Sequence, residues 1–559
     1  KRNWQEIKIN QNIIKKAQQV NNFSDIVSRL IVSRKFDLEE IYSIRNHLEL
    51  SNKFTNNLDF INSSQLIENA INNKEKICIL GDYDVDGSVA TALFIKFFEK
   101  LKHPHIYYIP DRVKDGYGAS KKLFQKLIKK KIELVIMVDC GSSSNEAIDF
   151  LNENKIKSLI IDHHEINKPY PKSNEIINPK KDNGYIEYDY LCATTLTYFF
   201  LEILSKKINC KINLRKYLIY VLLATVCDVM PLRKINRLIA IKALNEFDIN
   251  KNIALNTLFS LNNKKNKLNV NDLGFLIGPI LNAGGRLGKP TFATELLASN
   301  NSNFINLKAN MLVKLNDKRK QIEKITFDEI DLKKILDKNE NVIIYYNSKI
   351  NEGLIGIIAA RLKEYFNKPS IVITNSGNIL KGSARSTDYY NIGHTVKNLL
   401  YQKIISGGGG HNMAAGFTLE KKNLDIFKDY ILKDFANKVP FSNYAFLYDA
   451  EVSSSVINKD FYYDIKRLEP FGSCNPNPIF LFKDLKVIKV NVLNGDHLSV
   501  ILKSKSGLSI KSISFNSINK KVGNYLQNYK KKINVLAEIN ENNWNNKKTL
   551  QLNIHDLVI

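Results

Sequence analysis

Between about residues 75 and 235, short β-branched apolar runs alternate with polar or glycine-rich clusters and then with helix-like stretches. Residues 77–80 lead into Gly81-Asp82-Tyr83-Asp84-Val85-Asp86-Gly87, residues 106–109 into Pro110-Asp111-Arg112, residues 134–138 into Asp139-Cys140-Gly141, and residues 159–161 into Asp162-His163-His164. This alternation predicts a parallel α/β sheet. Ligands of such sheets sit outside the carboxyl ends of the strands. Every acidic or imidazole cluster falls at such an end, so the clusters are expected to converge on one crevice.

Residues 236–338 read as mostly helical, and residues 304–338 keep a helix-like apolar period with Glu and Lys on the remaining face, as expected of a long connecting helix. A second α/β pattern follows: a strand at 342–345, a helix start at 353–362, a strand at 370–373 and a glycine cluster at 407–410. After about residue 445 the period changes to two. It is clearest in Leu550-Gln551-Leu552-Asn553-Ile554, just beyond the turn residues Asn543-Trp544-Asn545-Asn546. The expected organisation is an N-terminal helical segment (1–60), an α/β lobe (61–235), a helical region with the connecting helix (236–338), a smaller α/β lobe (339–440) and an antiparallel β-barrel (445–559).

At 559 residues the chain has room for several cores, since domains run to roughly 100–200 residues. Its composition, 44% apolar and 25% charged, is that of a packed globular protein. The longest strongly apolar stretch, residues 218–227, stops at Asp228, short of the roughly 18 residues of a membrane span. The first residues lack the apolar core of a signal peptide, and a cytoplasmic protein is expected. Six scattered cysteines with no C-x-x-C pair encode neither a disulfide framework nor a thiolate zinc site. The net charge of +26 attracts polyanions, nucleic acid above all. Only 13 of the 82 cations are Arg, however, and an Asn-, Ile- and Lys-rich composition would follow equally from AT-rich coding. The Lys runs at 129–131, 264–265 and 530–532 read as solvated faces.

Asp82, Asp84 and Asp86 alternate on a turn directly after a strand. Carboxylates held that close repel one another unless a cation neutralises them. Asp139 before Gly141 is also ordinary turn chemistry, and Asp228 alone reads as a helix-end carboxylate, but adjacent imidazoles at a strand end have no common structural use. One fold brings all four clusters to one edge. Oxygen and imidazole ligands without thiolates suit Mn2+ or Mg2+. An aspartate bridging two such ions is the usual way to activate water for in-line displacement at phosphorus. The residues therefore point to phosphoester or phosphoanhydride hydrolysis.

The Asp-rich loop and Asp162-His163-His164 resemble the phosphoesterases named for their Asp-His-His (DHH) motif. The order of further motifs resembles the branch of that superfamily made up of single-strand-specific 5′ to 3′ DNA exonucleases: Gly116-Tyr117-Gly118, Asn178-Pro179, Asp228-Val229-Met230-Pro231-Leu232, Gly278 to Gly288, Gly382-Ser383-Ala384-Arg385-Ser386, Gly409-Gly410-His411 and Pro470-Phe471-Gly472. The resemblance implies a parallel-sheet DHH lobe and a smaller DHHA1 lobe joined by a long helix, plus an oligonucleotide-binding (OB) barrel. It implies two Mn2+ or Mg2+ ions held by Asp82, Asp84, Asp86, Asp139, His163 and Asp228, with Asp139 as the bridge, and leaves open which of the first three bind directly. His164 would touch the scissile phosphate, and Asp162 would orient the imidazoles. Arg112, Arg286, Ser383 and Arg385 match positions that hold a terminal 5′ phosphate, with Asn282 in the same substrate-binding set. Gly409, Gly410 and His411 suit a backbone approaching phosphates, a plain turn being the alternative. Trp544 reads equally as a base-stacking residue or as a core or turn residue.

Asn351 and Cys474 depart from the family pattern, where His and Gly are usual, and neither falls in the metal set. The activity implied is processive digestion of single-stranded DNA to mononucleotides in recombination and repair, beside a single-strand-binding protein and a helicase. The rivals are a hydrolase of short oligoribonucleotides or cyclic dinucleotides, and a catalytically silent strand-binding relative. The β module argues against the first and the filled metal positions against the second.

Overall fold

The computed structural model describes residues 3–558 apart from 112–114, 117, 183–184, 265–266, 439–444, 494, 519, 529–531 and 545–546. The chain forms two compact units, one of residues 51–230 and 246–442, the other of residues 1–50, 231–245 and 443–559.

The first unit contains a parallel sheet of five strands in the spatial order His105–Tyr108, Ile77–Leu80, Leu134–Val138, Lys157–Ile161, Glu175–Ile177. Ile77–Leu80 and Leu134–Val138 are buried at every position, as central strands covered by helices on both faces must be. The strand order reverses between these two, which opens a crevice at their carboxyl ends. The edge strand Glu175–Ile177 escapes a reading of the sequence because three residues show no period. In place of one helix over 304–338 there are two, Ser302–Asp328 and Leu332–Asp337. Ile330 turns into the core with Ile343, Ile355 and Val372. Asp331 then starts the second helix by accepting the Lys334 N–H at 3.0 Å.

The smaller sheet of the same unit runs Gly407–His411, Ala414–Glu420, Ile379–Arg385, Ser370–Ser376, Ile343–Tyr346, antiparallel except for the last pair. The glycine cluster is therefore an edge strand and not a turn, packed against the helix Ile392–Tyr401.

In the other unit, Phe480–Leu493, His497–Lys503, Ser509–Ser514, Lys547–Val558 and Lys532–Trp544 pair in a ring, closed by the first strand against the last. Closure leaves no free sheet edge. The N-terminal helical segment contributes Phe23, from the link between two helices, and the helical Val27 and Leu30 to the core that Phe480, Val500 and Leu552 form inside the barrel unit. Arg237, 1% exposed, donates to the Leu468 carbonyl at 2.7 Å and pins residues 231–245 to this unit. Among the described residues, no helix is long and apolar enough to cross a membrane.

Candidate metal centre

The loop after Ile77–Leu80 turns into the helix Val85–Leu101, whose N-cap is Asp84, accepting the Gly87 N–H at 3.0 Å. Asp86 faces the start of another helix, Ala193–Lys207, and accepts the N–H groups of Ala193 and Thr194, each at 2.8 Å. The positive end of that helix holds its carboxylate in place. Asp82 is buried and accepts the Tyr83 N–H at 2.7 Å.

Asp139, directly after Leu134–Val138, has φ of 60°, a left-handed conformation that Asp tolerates better than most residues. It is 1% exposed, and neither of its carboxylate oxygens has a hydrogen-bond partner among the described residues. Both ring nitrogens of the buried His163 are in the same condition. His163 Nε2 lies 3.3 Å from Asp139, 3.4 Å from Asp228 and 3.7 Å from Asp86. The ligand atoms fall into three groups, Asp82 with Asp84 and Asp139, Asp86 with His163 and Asp228, and Asp139 with His163 and His164, all within 4.8 Å inside each group. Burial, and then the charges of Asp84, Asp86, Asp82 and Asp228, push the Asp139 carboxyl far above its ordinary range. Asp86 and Asp228 move the same way, burial leading in each case. Burial also drives the His163 imidazole down, and the neighbouring His164 adds to it. A desolvated cluster of carboxylates that repel one another, with unbonded oxygens and a neutral imidazole, fits divalent cations with oxygen and nitrogen ligands.

Asp162 is occupied differently. Its Oδ1 accepts the N–H groups of His163 at 2.8 Å and His164 at 3.2 Å and meets His164 Nδ1 at 2.8 Å, while Oδ2 accepts the Ser142 N–H at 3.1 Å. Burial would raise its carboxyl, yet the His164 charge and hydrogen bond carry it far below the usual range. For His164 burial works downward, but Asp162 outweighs it and the imidazole is pushed up to about 9.

A second cluster gathers around the start of the helix Ile355–Phe366, where Leu354 supplies no side-chain cap. Arg286 Nη1 donates to the Gly353 carbonyl at 3.0 Å, and Arg385 Nη1 to Ser383 Oγ at 3.1 Å. A Cβ on Gly353 would stand 2.3 Å from the Arg286 carbonyl, and one on Gly356 would stand 3.0 Å from Arg385 Nη2. The two glycines therefore let both arginines close on the helix end. Asn282 and Arg286 lie on the helix Gly278–Arg286, and a Cβ on Gly285 would be 2.8 Å from the Tyr83 carbonyl. The guanidinium-bearing helix thus packs on the Asp loop itself. Guanidinium groups beside a helix start are the chemistry that suits an anion such as phosphate.

His411, exposed at the end of the glycine strand, stacks at 27° over the His164 ring with centroids 6.2 Å apart. Gly409 and Gly410 are exposed beside it, and a Cβ on Gly409 would meet nothing within 4 Å. Arg112 lies outside the described residues. Trp544 ends a barrel strand with its backbone opposite Lys547, and its side chain is outside the described set.

Sequence reasoning passed over Asn178 and Lys180 as site residues. Asn178 is fully buried and donates to Ser142 Oγ at 2.8 Å and to the His164 carbonyl at 2.9 Å, so it supports the Asp-His-His turn. Its only signal was the Asn-Pro pair, which by itself reads as a turn. Lys180 lies 3.4 Å from Glu165, the residue after His164.

Residues 76–225 match the DHH family, N-terminal domain, residues 339–437 the DHHA1 domain, and residues 448–556 the RecJ OB domain. The single-stranded-DNA-specific exonuclease RecJ of Bacillus subtilis is 27% identical, over 100% of this chain and 71% of its own length. The corresponding protein of Haemophilus influenzae is 28% identical, over 92% of this chain and 95% of its own. In fold, the chain resembles the crystal structure of RecJ in complex with Mn2+ from Thermus thermophilus, with a TM-score of 0.83 at 20% identity, over 100% of this chain and 79% of that one. With DHH, DHHA1 and RecJ OB domains in that order along one polypeptide, the chain belongs to the RecJ family of DHH phosphoesterases.

Proposed function

We propose that the chain is a 5′ to 3′ exonuclease specific for single-stranded DNA, working with two Mn2+ or Mg2+ ions and releasing 5′-mononucleotides. The observation that carries this reading is Asp139, a buried carboxylate with two unbonded oxygens at the centre of four further aspartates and His163. Asp82, Asp84, Asp86, Asp139, His163 and Asp228 would hold the ions, with Asp139 between them. The bound metals supply Lewis acidity toward the phosphoryl oxygens and lower the pKa of water.

His164, kept cationic by Asp162, opposes the charge that develops on the scissile phosphate. Arg286, Ser383 and Arg385, with Arg112 and Asn282, hold the terminal 5′ phosphate. Anchoring that end sets the polarity and the one-nucleotide step. The exposed backbone of Gly409 and Gly410, with His411, lines the strand path, and the barrel, with Trp544 as a stacking candidate, binds strand as OB folds do.

The five-part division given by the sequence belongs to this proposal, as do cytoplasmic location, a role in recombination and repair, and work beside a single-strand-binding protein and a helicase. The test is incubation with Mn2+ or Mg2+ and end-labelled single-stranded DNA carrying a 5′ phosphate or a blocked 5′ end, with RNA of the same sequence alongside. Metal-dependent release of mononucleotides from the free 5′ end of DNA is expected. Digestion of very short RNA alone, or binding without cleavage, would overturn the reading.

A further inference from the structure

Glu165 follows His164 and accepts two cations from different parts of the unit. Lys180, three residues beyond the buried strand end Ile177, lies 3.4 Å from Oε1, and Lys397, on the helix Ile392–Tyr401 of the smaller lobe, lies 3.4 Å from Oε2. Both separations are long for charge-assisted hydrogen bonds, which run to about 2.7–2.9 Å. Lys157 with Glu75 and Lys264 with Asp272, each at 2.7 Å, show the closer approach that a lysine and a carboxylate of this unit can reach. Lys180 is held in place, and Lys397 stands half-exposed on a seated helix. The Lys180 side chain is only 16% exposed, and its N–H donates at 2.9 Å to Asn178 Oδ1, from the residue that also holds the His164 carbonyl. The Lys397 helix is seated on the glycine strand, where a Cβ on Gly393 would stand 2.7 Å from the His411 carbonyl. The largely buried Lys180 and the half-exposed Lys397 therefore flank one carboxylate from two lobes, beside the stacked His164 and His411 rings. The Lys180 charge is also among those that act on His163, His411 and Asp228.

We propose that Lys180 and Lys397 form a subsite for one backbone phosphate of the bound strand, spanning the two lobes beside the His164–His411 pair, with Glu165 occupying that subsite in the strand-free protein. A phosphate offers two anionic oxygens as a carboxylate does, and it displaces Glu165 from a contact that is already loose. The proposal rests on the reading of the chain as a single-strand nuclease.

The test is equilibrium binding of a labelled single-stranded oligonucleotide to the full chain in EDTA over a salt series, with wild type, K180Q, K397Q, K397R and E165Q. Each Lys→Gln change is expected to reduce the slope of log K against log salt by about 0.7. K397R is expected to restore it, and E165Q to tighten binding several-fold. An unchanged slope in K397Q, or weaker binding in E165Q, overturns the subsite. Binding in EDTA is independent of catalysis. A chain that shows these slopes but cuts no DNA in Mn2+ therefore loses the exonuclease reading and keeps the subsite, whereas one that binds no strand loses both.

Discussion

Asp162 Oδ1 sits 2.8 Å from His164 Nδ1 while accepting the backbone N–H groups of both histidines. One carboxylate oxygen thus sets the turn, the ring orientation and the charge of His164. In Asp162→Asn the ring loses the anion that pushes it up to about 9, and its pKa falls toward the ordinary value near 6.5. If the cationic ring acts in the reaction, the alkaline limb of kcat moves to lower pH by at least about one unit. At pH 8 the rate falls by roughly 10- to 100-fold, the usual effect of losing a partner that orients an active imidazole. A pH profile of kcat checks both, and an alkaline limb that stays in place would remove His164 from the chemistry.

Asp139 gives a prediction about stability as well as rate. Its carboxyl is buried, unbonded and repelled by its neighbours, so Asp139→Asn should stabilise the metal-free protein by roughly 1 kcal/mol or more. It should also abolish the rise in Tm that Mn2+ gives the wild type. Asp139→Ala removes the same charge but places a Cβ residue without a polar side chain at φ of 60°, at a cost of about 1–2 kcal/mol, and should melt below the Asn variant. Both should lose cleavage and still bind single-stranded DNA. Calorimetry with and without Mn2+, beside a nuclease assay, separates these outcomes.

The arginine cluster predicts a dependence on the chemistry of the strand end. Losing a charged hydrogen-bond donor to phosphate costs about 1.5–3 kcal/mol, so Arg286→Ala and Arg385→Ala should each lower kcat/KM on 5′-phosphorylated DNA by about 10- to 100-fold. On the same DNA with a 5′ hydroxyl the loss should be much smaller. Equal losses on both ends would show that the arginines steady the lobes instead, through contacts such as Arg286 to the Gly353 carbonyl.

The strands that carry the acidic loops were legible because each is a short apolar run ending in a polar cluster, and a parallel sheet turns sequence order into a shared edge. Asp82, Asp139 and His163 meet for that reason. The three-residue strand Glu175–Ile177 has no such signature, and with it went the meaning of Asn178 and Lys180, whose partners Ser142, His164 and Glu165 lie 14 or more positions away. The break after Asp328 was hidden because Ile330 keeps the apolar period while its side chain serves a different core. The glycine strand was hidden for the opposite reason. Residues without side chains show no alternation, although their backbone pairs in register from Gly407 with Thr418 to His411 with Ala414.

Away from the chemistry, Lys96 on the helix Val85–Leu101 is 7% exposed and donates to the Ala298 carbonyl at 2.8 Å and to Asn300 Oδ1 at 3.2 Å. Burial lowers its ammonium to about 8, with little relief from Glu99, against an ordinary value near 10.4. Between those values the unfolded chain binds a proton that the folded chain does not, so stability rises with pH across that window. At neutral pH the charged form in the fold costs roughly 3 kcal/mol relative to water, at about 1.4 kcal/mol for each pH unit between the two values. Lys96→Met removes this linkage together with two hydrogen bonds. Plotted from pH 7 to 10.5, the wild-type free energy of unfolding should therefore gain on that of the variant above about pH 8. Parallel curves from urea titrations would mean that Lys96 is hydrated, and that the helix tolerates its charge through water and not through Ala298 and Asn300.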